Sequence, residues 1–521
     1  VTRTTLLIAD RVVGVDGAPD VNGLLVEGGS VVAVGPHDQL EGRADTVHEF
    51  AGATIVPGLR DAHLHPVPYA SSLGGVSLKT AVDLEDVADR LRAAPAAGRG
   101  PVVALRFDDE TIAERRLPTR TDLDAALRDR PVLIHRYCGH VAVANSAALE
   151  LAGIDPSTPD PEGGVIDRDA AGAPTGVLRE TAIEIVSRAL AGALRVSERQ
   201  LIEAMRALAG LGLTSIGAMV RLGDGPWSSL GNEGELLASV AADLPIRVHG
   251  YIIANSVAEL DEGRRLLTDR GPRLRWAGVK RFADGSLGGH TAAMIEPYAD
   301  AAGETGTMRL GPLDLELTRA CMDMGGTAAV HAIGDRACRE VIDLFEHAGA
   351  PRGGCRIEHA SVIRRQDILR MARLGIIACV QPAFLGSESQ WLADRVGRER
   401  LADTYPFESM RRSGVTLAAG SDSPVEPPDP WHGIGLARDR AGVTPEEGLA
   451  PHHALDLFTH GAAGALGEPS PLRVGSPADA IVVDRNPLTA SSDEIRHTRV
   501  HHVFVGGEEV EVAGAPPHWV E

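Results

Sequence analysis

The chain has 521 residues, 44% of them hydrophobic: too many for one ordinary domain, but enough to fill a barrel with additions around a large core. Its formal net charge is −21 with no run of Lys or Arg, which excludes the basic footprint that nucleic-acid binding needs. No apolar stretch reaches the roughly 18 residues of a membrane span, and residues 1–10 read as a first strand instead of a secretory signal, so a cytoplasmic protein without a membrane partner is expected.

In chain order, short apolar runs come first: Leu6–Ala9, Leu24–Glu27 and Val31–Val34, parted by Gly and Asp turns. The same texture returns at Ala480–Asp484 and Val500–Gly507. Two all-β ends around an α/β middle predict a small β-sandwich built from both termini, residues 1–56 plus 470–521. Between them lie eight strand-length runs, each followed by a helical pattern: Thr54–His65, Thr214–Val220, Ile246–Ile253, Trp276–Asp284, Thr327–Gly334, Cys355–Ser361, Ile376–Phe384 and Thr416–Pro424. Alternating strand and helix imply a parallel sheet, and eight units imply closure. The fold class is therefore α/β, a (β/α)8 TIM-type barrel over residues 57–67 plus 196–469. The stretch 68–195 is far too long for a βα loop. With a helical pattern at Val82–Ala93 and a strand-like Val132–His135, it reads as an inserted α/β domain over the barrel mouth. The five cysteines, Cys138, Cys321, Cys338, Cys355 and Cys379, form no CxxC pair and read as buried reduced thiols.

The first barrel run ends in Asp61-Ala-His63-Leu-His65. Side chains two apart on a strand point the same way, so His63 and His65 can present two imidazoles to one point at the C-terminal mouth. Alone the pair is weak evidence, because histidines on a strand face are commonly ordinary polar residues. Four other runs add to it: the fourth carries Lys280, the fifth His331, the sixth His359 and the eighth Asp422. Six such side chains at the ends of five strands point jointly to metal binding. No cysteine stands at a matching position, so imidazole and carboxylate ligands are expected. The lysines also stand out. Only Lys79 and Lys280 are Lys; the other 49 of the 51 basic residues are Arg. A position that needs an uncharged amine cannot be filled by Arg. Lys79, in Ser77-Leu-Lys79-Thr, lacks such a setting and reads as a surface residue.

With these residues the chain resembles the amidohydrolase superfamily, specifically the amidohydrolase family 3 branch that contains N-substituted formamide deformylases. The resemblance runs through the His-x-His pair, Gly139-His140 to Asn145, Pro174 to Glu180, Lys280-Arg-Phe-Ala-Asp284, His331-Ala-Ile-Gly-Asp335, Glu358-His359, Gly420-Ser-Asp422-Ser-Pro424 and Val474 to Asp479. It departs at Leu59-Arg60, where Phe-Ile is usual, at Cys138, where Asp is common, and at His290, where Arg is common.

The resemblance implies a hydrolase that cuts a non-peptide C–N bond, in an amide or N-substituted formamide, of a small molecule. It implies one or two divalent metal ions, zinc being the expected metal, held by His63, His65, His331, His359, Asp422 and Lys280. Two such ions, about 3.5–4 Å apart, need a bridging anion. A neutral lysine amine supplies one by adding CO2 to become a carbamate, and burial favours that amine. In the implied mechanism Asp422 and carboxylated Lys280 are the catalytic pair. Asp422 takes a proton from a metal-activated water and hands it to the leaving nitrogen. His140 and His290 are candidate substrate contacts. Asp284 and Asp335 are candidates either for orienting ligand imidazoles or for capping loops, and Asp61 for bracing the His pair. A homodimer stays open as the assembly. The alternative activities are a deaminase or a lactonase or esterase on the same barrel. Deaminases of this superfamily carry a Glu shortly after the strand-5 histidine, where this chain has Ala332-Ile-Gly-Asp335. A non-catalytic scaffold should lack a ligand, and none is missing.

Overall fold

Eight segments pair in chain order into one parallel sheet: β1 Leu59–Leu64, β2 Leu213–Val220, β3 Arg247–Ile253, β4 Leu274–Phe282, β5 Thr327–Ala332, β6 Cys355–His359, β7 Ile377–Val380 and β8 Leu417–Ala419. The structure is a computed structural model, and it describes residues 3–14, 21–94, 100–137, 139–161, 163–223 and 231–512. The ends of β1 and β8 are joined just past the strands. The Asp422 N–H donates to the His63 carbonyl at 2.7 Å, and the His65 N–H to the Ser423 carbonyl at 2.8 Å. That junction brings the first and last strands together at the C-terminal mouth.

A barrel strand faces the interior on one side and helices on the other, so its residues must be buried throughout. All eight residues of β2 and all five of β6 are. Polar groups on such strands need partners or a function, and β6 carries Arg356, Glu358 and His359. The helices show the complementary pattern. Asp335–Ala348 turns Ala337, Cys338, Val341, Ile342 and Phe345 inward at helical spacing and stops at Gly349, whose φ of 72° is the left-handed cap that glycine favours.

The first sequence run divides in two. Residues 54–57 belong to the strand Thr46–Pro57 of a different sheet, and β1 begins only at Leu59. Gly58 forms the joint: a Cβ there would stand 2.3 Å from Thr214 Oγ1. The second sheet has seven strands drawn from both chain ends, with Ala480–Val483 pairing antiparallel to Thr46–Pro57. It is tied to the N-terminal ends of the barrel strands. Arg247 donates to the Asp479 carboxylate at 2.9 Å, and Arg60 stands 3.9 Å from the same carboxylate.

A third, six-stranded mixed sheet lies within residues 76–180, in the order Val76–Ser77, Val102–Phe107, Val132–Arg136, Val141–Ala144, Pro174–Glu180, Gly164–Arg168, and it has its own apolar core. Asn145 pins its corner. It is fully buried, caps the helix Ser146–Leu151, and donates to the carbonyls of Leu127 and Arg130. Among the described residues no helix is long and apolar enough to cross a membrane.

Candidate metal centre

The C-terminal ends of β1, β4, β5 and β6 and the turn after β8 open on one cavity of ≈ 690 Å3. His63, His65, Lys280, His331, His359 and Asp422 all line it. The opposite wall comes from the six-stranded sheet and the turn that follows its strand Val132–Arg136, including Leu105, Arg106, His135 and His140. The cavity therefore lies between this sheet and the barrel mouth.

The pair on β1 converges on one carboxylate oxygen. His63 Nε2 and His65 Nε2 each stand 3.2 Å from Asp422 Oδ1. These three ligand atoms lie within 4.8 Å of one another, a spacing that a divalent cation can draw together. His331 and His359 form a second pair with ring centroids 4.4 Å apart. His331 Nε2–H donates to the Gly285 carbonyl at 2.9 Å, which leaves Nδ1 as its lone-pair nitrogen. His359 Nδ1 is buried and has no hydrogen-bond partner among the described residues. Lys280 is fully buried, and its Nζ likewise has no such partner. Two of the six residues hold unusual backbone conformations, with φ of 76° at His359 and 58° at Asp422. Non-glycine residues rarely adopt positive φ, and where they do the strain is commonly tied to function.

The electrostatics match the geometry. Burial drops the Lys280 amine to about 8, against the pull of Glu358 and Asp422 towards the charged form. Burial and the neighbouring His331 hold His359 well below the ordinary imidazole value, so it is neutral, as a ligand must be. Burial alone would raise Asp422, but the charge and hydrogen bond of His63 and the hydrogen bond of His65 hold its carboxyl well below the usual range.

A supporting layer of buried acids carries this arrangement. Glu358 accepts His63 Nδ1–H at 2.5 Å and pairs with Arg356 at 2.5 Å. Burial would raise its carboxyl, yet Arg356 and His63 bring it down to about 2. Asp284 stands 3.2 Å from His331 Nε2 and accepts the backbone N–H groups of Ala293, Ile333 and Gly334. Asp61 accepts from the N–H groups of His63 and Ser421, and so braces the β1–β8 junction. A thiol also stands near these residues, on a strand that carries none of the six predicted side chains. Cys379 of β7, with Glu358 and His63, forms a second close group. Burial and Glu358 push that thiol well up, so it stays protonated, and it is not among the cavity-lining residues. Cys321, Cys338, Cys355 and Cys379 are free and buried; Cys138 lies outside the described residues.

The substrate candidates part company. His140 lines the cavity and pairs through Nδ1 with Glu180 at 2.9 Å. His290 is not among the lining residues; its Nε2 faces Asp300 at 3.0 Å, and its ring meets Tyr298 edge-on. Asp335 accepts from the Ile295 N–H and from Arg364, so it caps the loop at Ile295 and not its own helix. Lys79 is half-buried, not a surface residue, with Glu426 and Asp429 acting on it. Sequence reasoning gave Glu358 no role beyond the motif, although a carboxylate beside a predicted ligand histidine at the end of an apolar run was the available signal.

Parallel barrels carry their chemistry at this mouth, and the imidazoles, amine and carboxylate gathered here make the fold and site those of a hydrolase. The model of the Amidohydrolase family matches residues 49–511, and the chain belongs to that family. It is 30% identical to the Bacillus subtilis protein YtcJ, over 93% of this chain and 95% of that one. It is 28% identical to the N-substituted formamide deformylase of Arthrobacter pascens, over 93% of this chain and 94% of that one. Among solved structures, an uncharacterized metal-dependent hydrolase of Pyrococcus horikoshii OT3 superposes with a TM-score of 0.76 at 29% identity, covering 94% of this chain and 99% of that one.

Proposed function

We propose that this protein is a metal-dependent amidohydrolase that cleaves the C–N bond of a small amide or N-substituted formamide. The observation that carries the reading is the pair of buried, unbonded nitrogens, Lys280 Nζ and His359 Nδ1, in a cavity that also holds His63, His65, His331 and Asp422. Burying polar nitrogens without partners costs about 1–3 kcal/mol each, and a bound cation with a bridging anion would satisfy them. In this reading His63, His65, His331, His359, Asp422 and a Lys280 carbamate hold one or two divalent ions, zinc first among them. Bound there, the metal supplies Lewis-acid polarisation of the carbonyl and a water that is nucleophilic near neutral pH.

The protein groups have separate tasks. The Lys280 amine would take up CO2, forming an N–C bond and giving a proton to solvent, so that a basic position would become an anionic one able to hold metal. Asp422, beside both β1 histidines, accepts the proton of the attacking water and delivers it to the leaving nitrogen. Glu358 and Asp284 fix the His63 and His331 rings. His140 touches substrate from the opposite wall. The family relationship to an N-substituted formamide deformylase supports the C–N bond as the target. The Ala-Ile-Gly sequence that separates His331 from the capping Asp335 speaks against the deaminase alternative.

The test combines metal analysis with a panel of N-alkylformamides, N-acyl amines and lactones. One or two equivalents of divalent metal, and hydrolysis of the amides that stops on chelation and returns with zinc, support the reading. A metal-replete protein that opens only lactones would overturn the C–N assignment.

A further inference from the structure

Among the described residues six arginines line the cavity: Arg106, Arg136, Arg195, Arg221, Arg281 and Arg309. Four of them are engaged. Arg106 pairs with Glu426, Arg136 with Asp109, Arg281 with Asp314 and Arg309 with Glu180. Arg195 is exposed, so water already solvates its charge. Arg221 differs from both groups. It is half-buried, and its side chain makes no hydrogen bond or ion pair among the described residues. Glu233, Glu184 and Glu259 lie near enough to act on its charge, but none hydrogen-bonds its side chain among the described residues: Glu233 accepts Arg221's own backbone N–H at 2.9 Å, Glu259 accepts the Asn255 N–H at 2.7 Å, and Glu184 takes Arg188 at 3.4 Å. A guanidinium cannot shed its proton to escape partial burial, so an unbonded one facing a cavity is a prepared site for an anion.

Its place relative to the metal centre follows from the strand register. Arg221 directly follows β2, whose Val220 pairs with Ile252 of β3; one step on, Ile253 pairs with Lys280 of β4. Two ladder spacings put the Arg221 and Lys280 backbones about 10 Å apart along the mouth.

We infer that Arg221 is a specificity residue that binds a carboxylate carried by the substrate several bonds from the scissile C–N bond. This rests on the amidohydrolase reading and narrows it to acidic amides. One guanidinium matches one carboxylate in charge and in its two-pronged geometry, whereas a phosphate dianion would call for a second free cation. The expected gain is mainly in KM, because the contact is made equally in the bound substrate and in the transition state.

The metal-loaded enzyme is assayed with N-formyl-6-aminohexanoate and with N-hexylformamide, which has a comparable chain but no charge. The wild type should prefer the acid, and in Arg221→Ala the ratio of kcat/KM, acid over neutral, should fall about 10- to 100-fold. Arg221→Lys should recover part of it, since it restores charge without the fork. Binding of two inert ketones, 7-oxooctanoate and octan-2-one, to the same proteins separates this inference from the catalytic reading. If neither formamide is hydrolysed but 7-oxooctanoate binds the wild type more tightly and Arg221→Ala erases the difference, the C–N assignment fails and the carboxylate site stands. If Arg221→Ala leaves both the substrate ratio and the ketone difference as they were, the Arg221 site is overturned and the amidohydrolase reading is untouched. Thermal melts confirm that the variants are folded.

Discussion

Glu358 accepts a hydrogen bond from His63 at 2.5 Å, and both side chains are closed to water. The bond crosses the barrel from β6 to β1 and fixes which nitrogen of His63 carries the proton, leaving Nε2 to face Asp422. Glu358 is held in turn by Arg356, which is itself fully buried. Glu358→Gln keeps the shape and removes the charge. Metal affinity, titrated against a graded chelator, should fall about 10- to 100-fold. The thermal midpoint should drop as well, because Arg356 is left as a buried cation without its anion, a loss of about 3–5 kcal/mol when such a pair is broken. Wild-type metal affinity in this variant would mean that His63 is oriented without Glu358.

The amine at Lys280 should be needed for what it can become, not for its charge. Lys280→Ala should lose most activity and most of one metal equivalent, and high acetate or formate should restore part of both. The rescue stays partial because a free carboxylate lacks the effective concentration of a tethered one. Lys280→Arg should be as damaging as Ala, since Arg cannot form a carbamate and places a permanent cation beside the metals. Full metal content and near-normal turnover in Lys280→Arg would make Lys280 a structural cation and leave a single-metal centre on His63, His65 and Asp422.

Asp422 touches both β1 histidines, and in this reading it also moves the proton. Asp422→Asn keeps an oxygen for the metal but cannot accept a proton. Turnover should fall about 10²- to 10⁴-fold, the usual worth of a positioned acid–base group. Metal content, read by elemental analysis on the same sample, should fall far less. If the two fall in proportion, Asp422 acts as a ligand only.

Much of this is legible in the sequence. The eight barrel strands stand out because they are short, apolar and sharply bounded, and because burial on both faces leaves them no polar alternation. The six cavity residues stand out as polar exceptions at the ends of those runs. The division at Gly58 was signalled by the Pro57-Gly58 pair, which punctuates a chain, but a continuous apolar run concealed it. The bond from Glu358 to His63 spans 295 residues, and no local pattern carries such a contact. His290 was chosen by its position in a motif, and position does not say which way a side chain turns; it turned to Asp300. Lys79 looked solvated because the acids that neighbour it, Glu426 and Asp429, come from the loop after β8. Arg221 was invisible because Arg fills nearly every basic position in this chain, and only the accounting of its partners sets it apart.

A buried acid that is not among the cavity-lining residues makes the stability depend on pH. Glu388 is buried at the end of the helix Phe384–Glu388 after β7, and it accepts the Tyr405 hydroxyl at 2.6 Å. Burial raises its carboxyl from 4.5 to about 8, opposed by the Tyr405 hydrogen bond and aided by the nearby Glu426. Below 4.5 both the folded and the unfolded chain hold this proton, so Glu388 makes no difference between them. As pH rises from 4.5 to 8 the unfolded chain releases the proton while the folded one keeps it, so folding loses stability across that window. Above 8 the full penalty applies, on the order of 5 kcal/mol. Glu388→Gln retains an oxygen for Tyr405 and never ionises. Urea unfolding should therefore find variant and wild type close at about pH 5, with the variant clearly more stable at about pH 9. Parallel pH profiles for the two proteins would mean that Glu388 ionises normally in the folded chain, with Tyr405 or water meeting its charge.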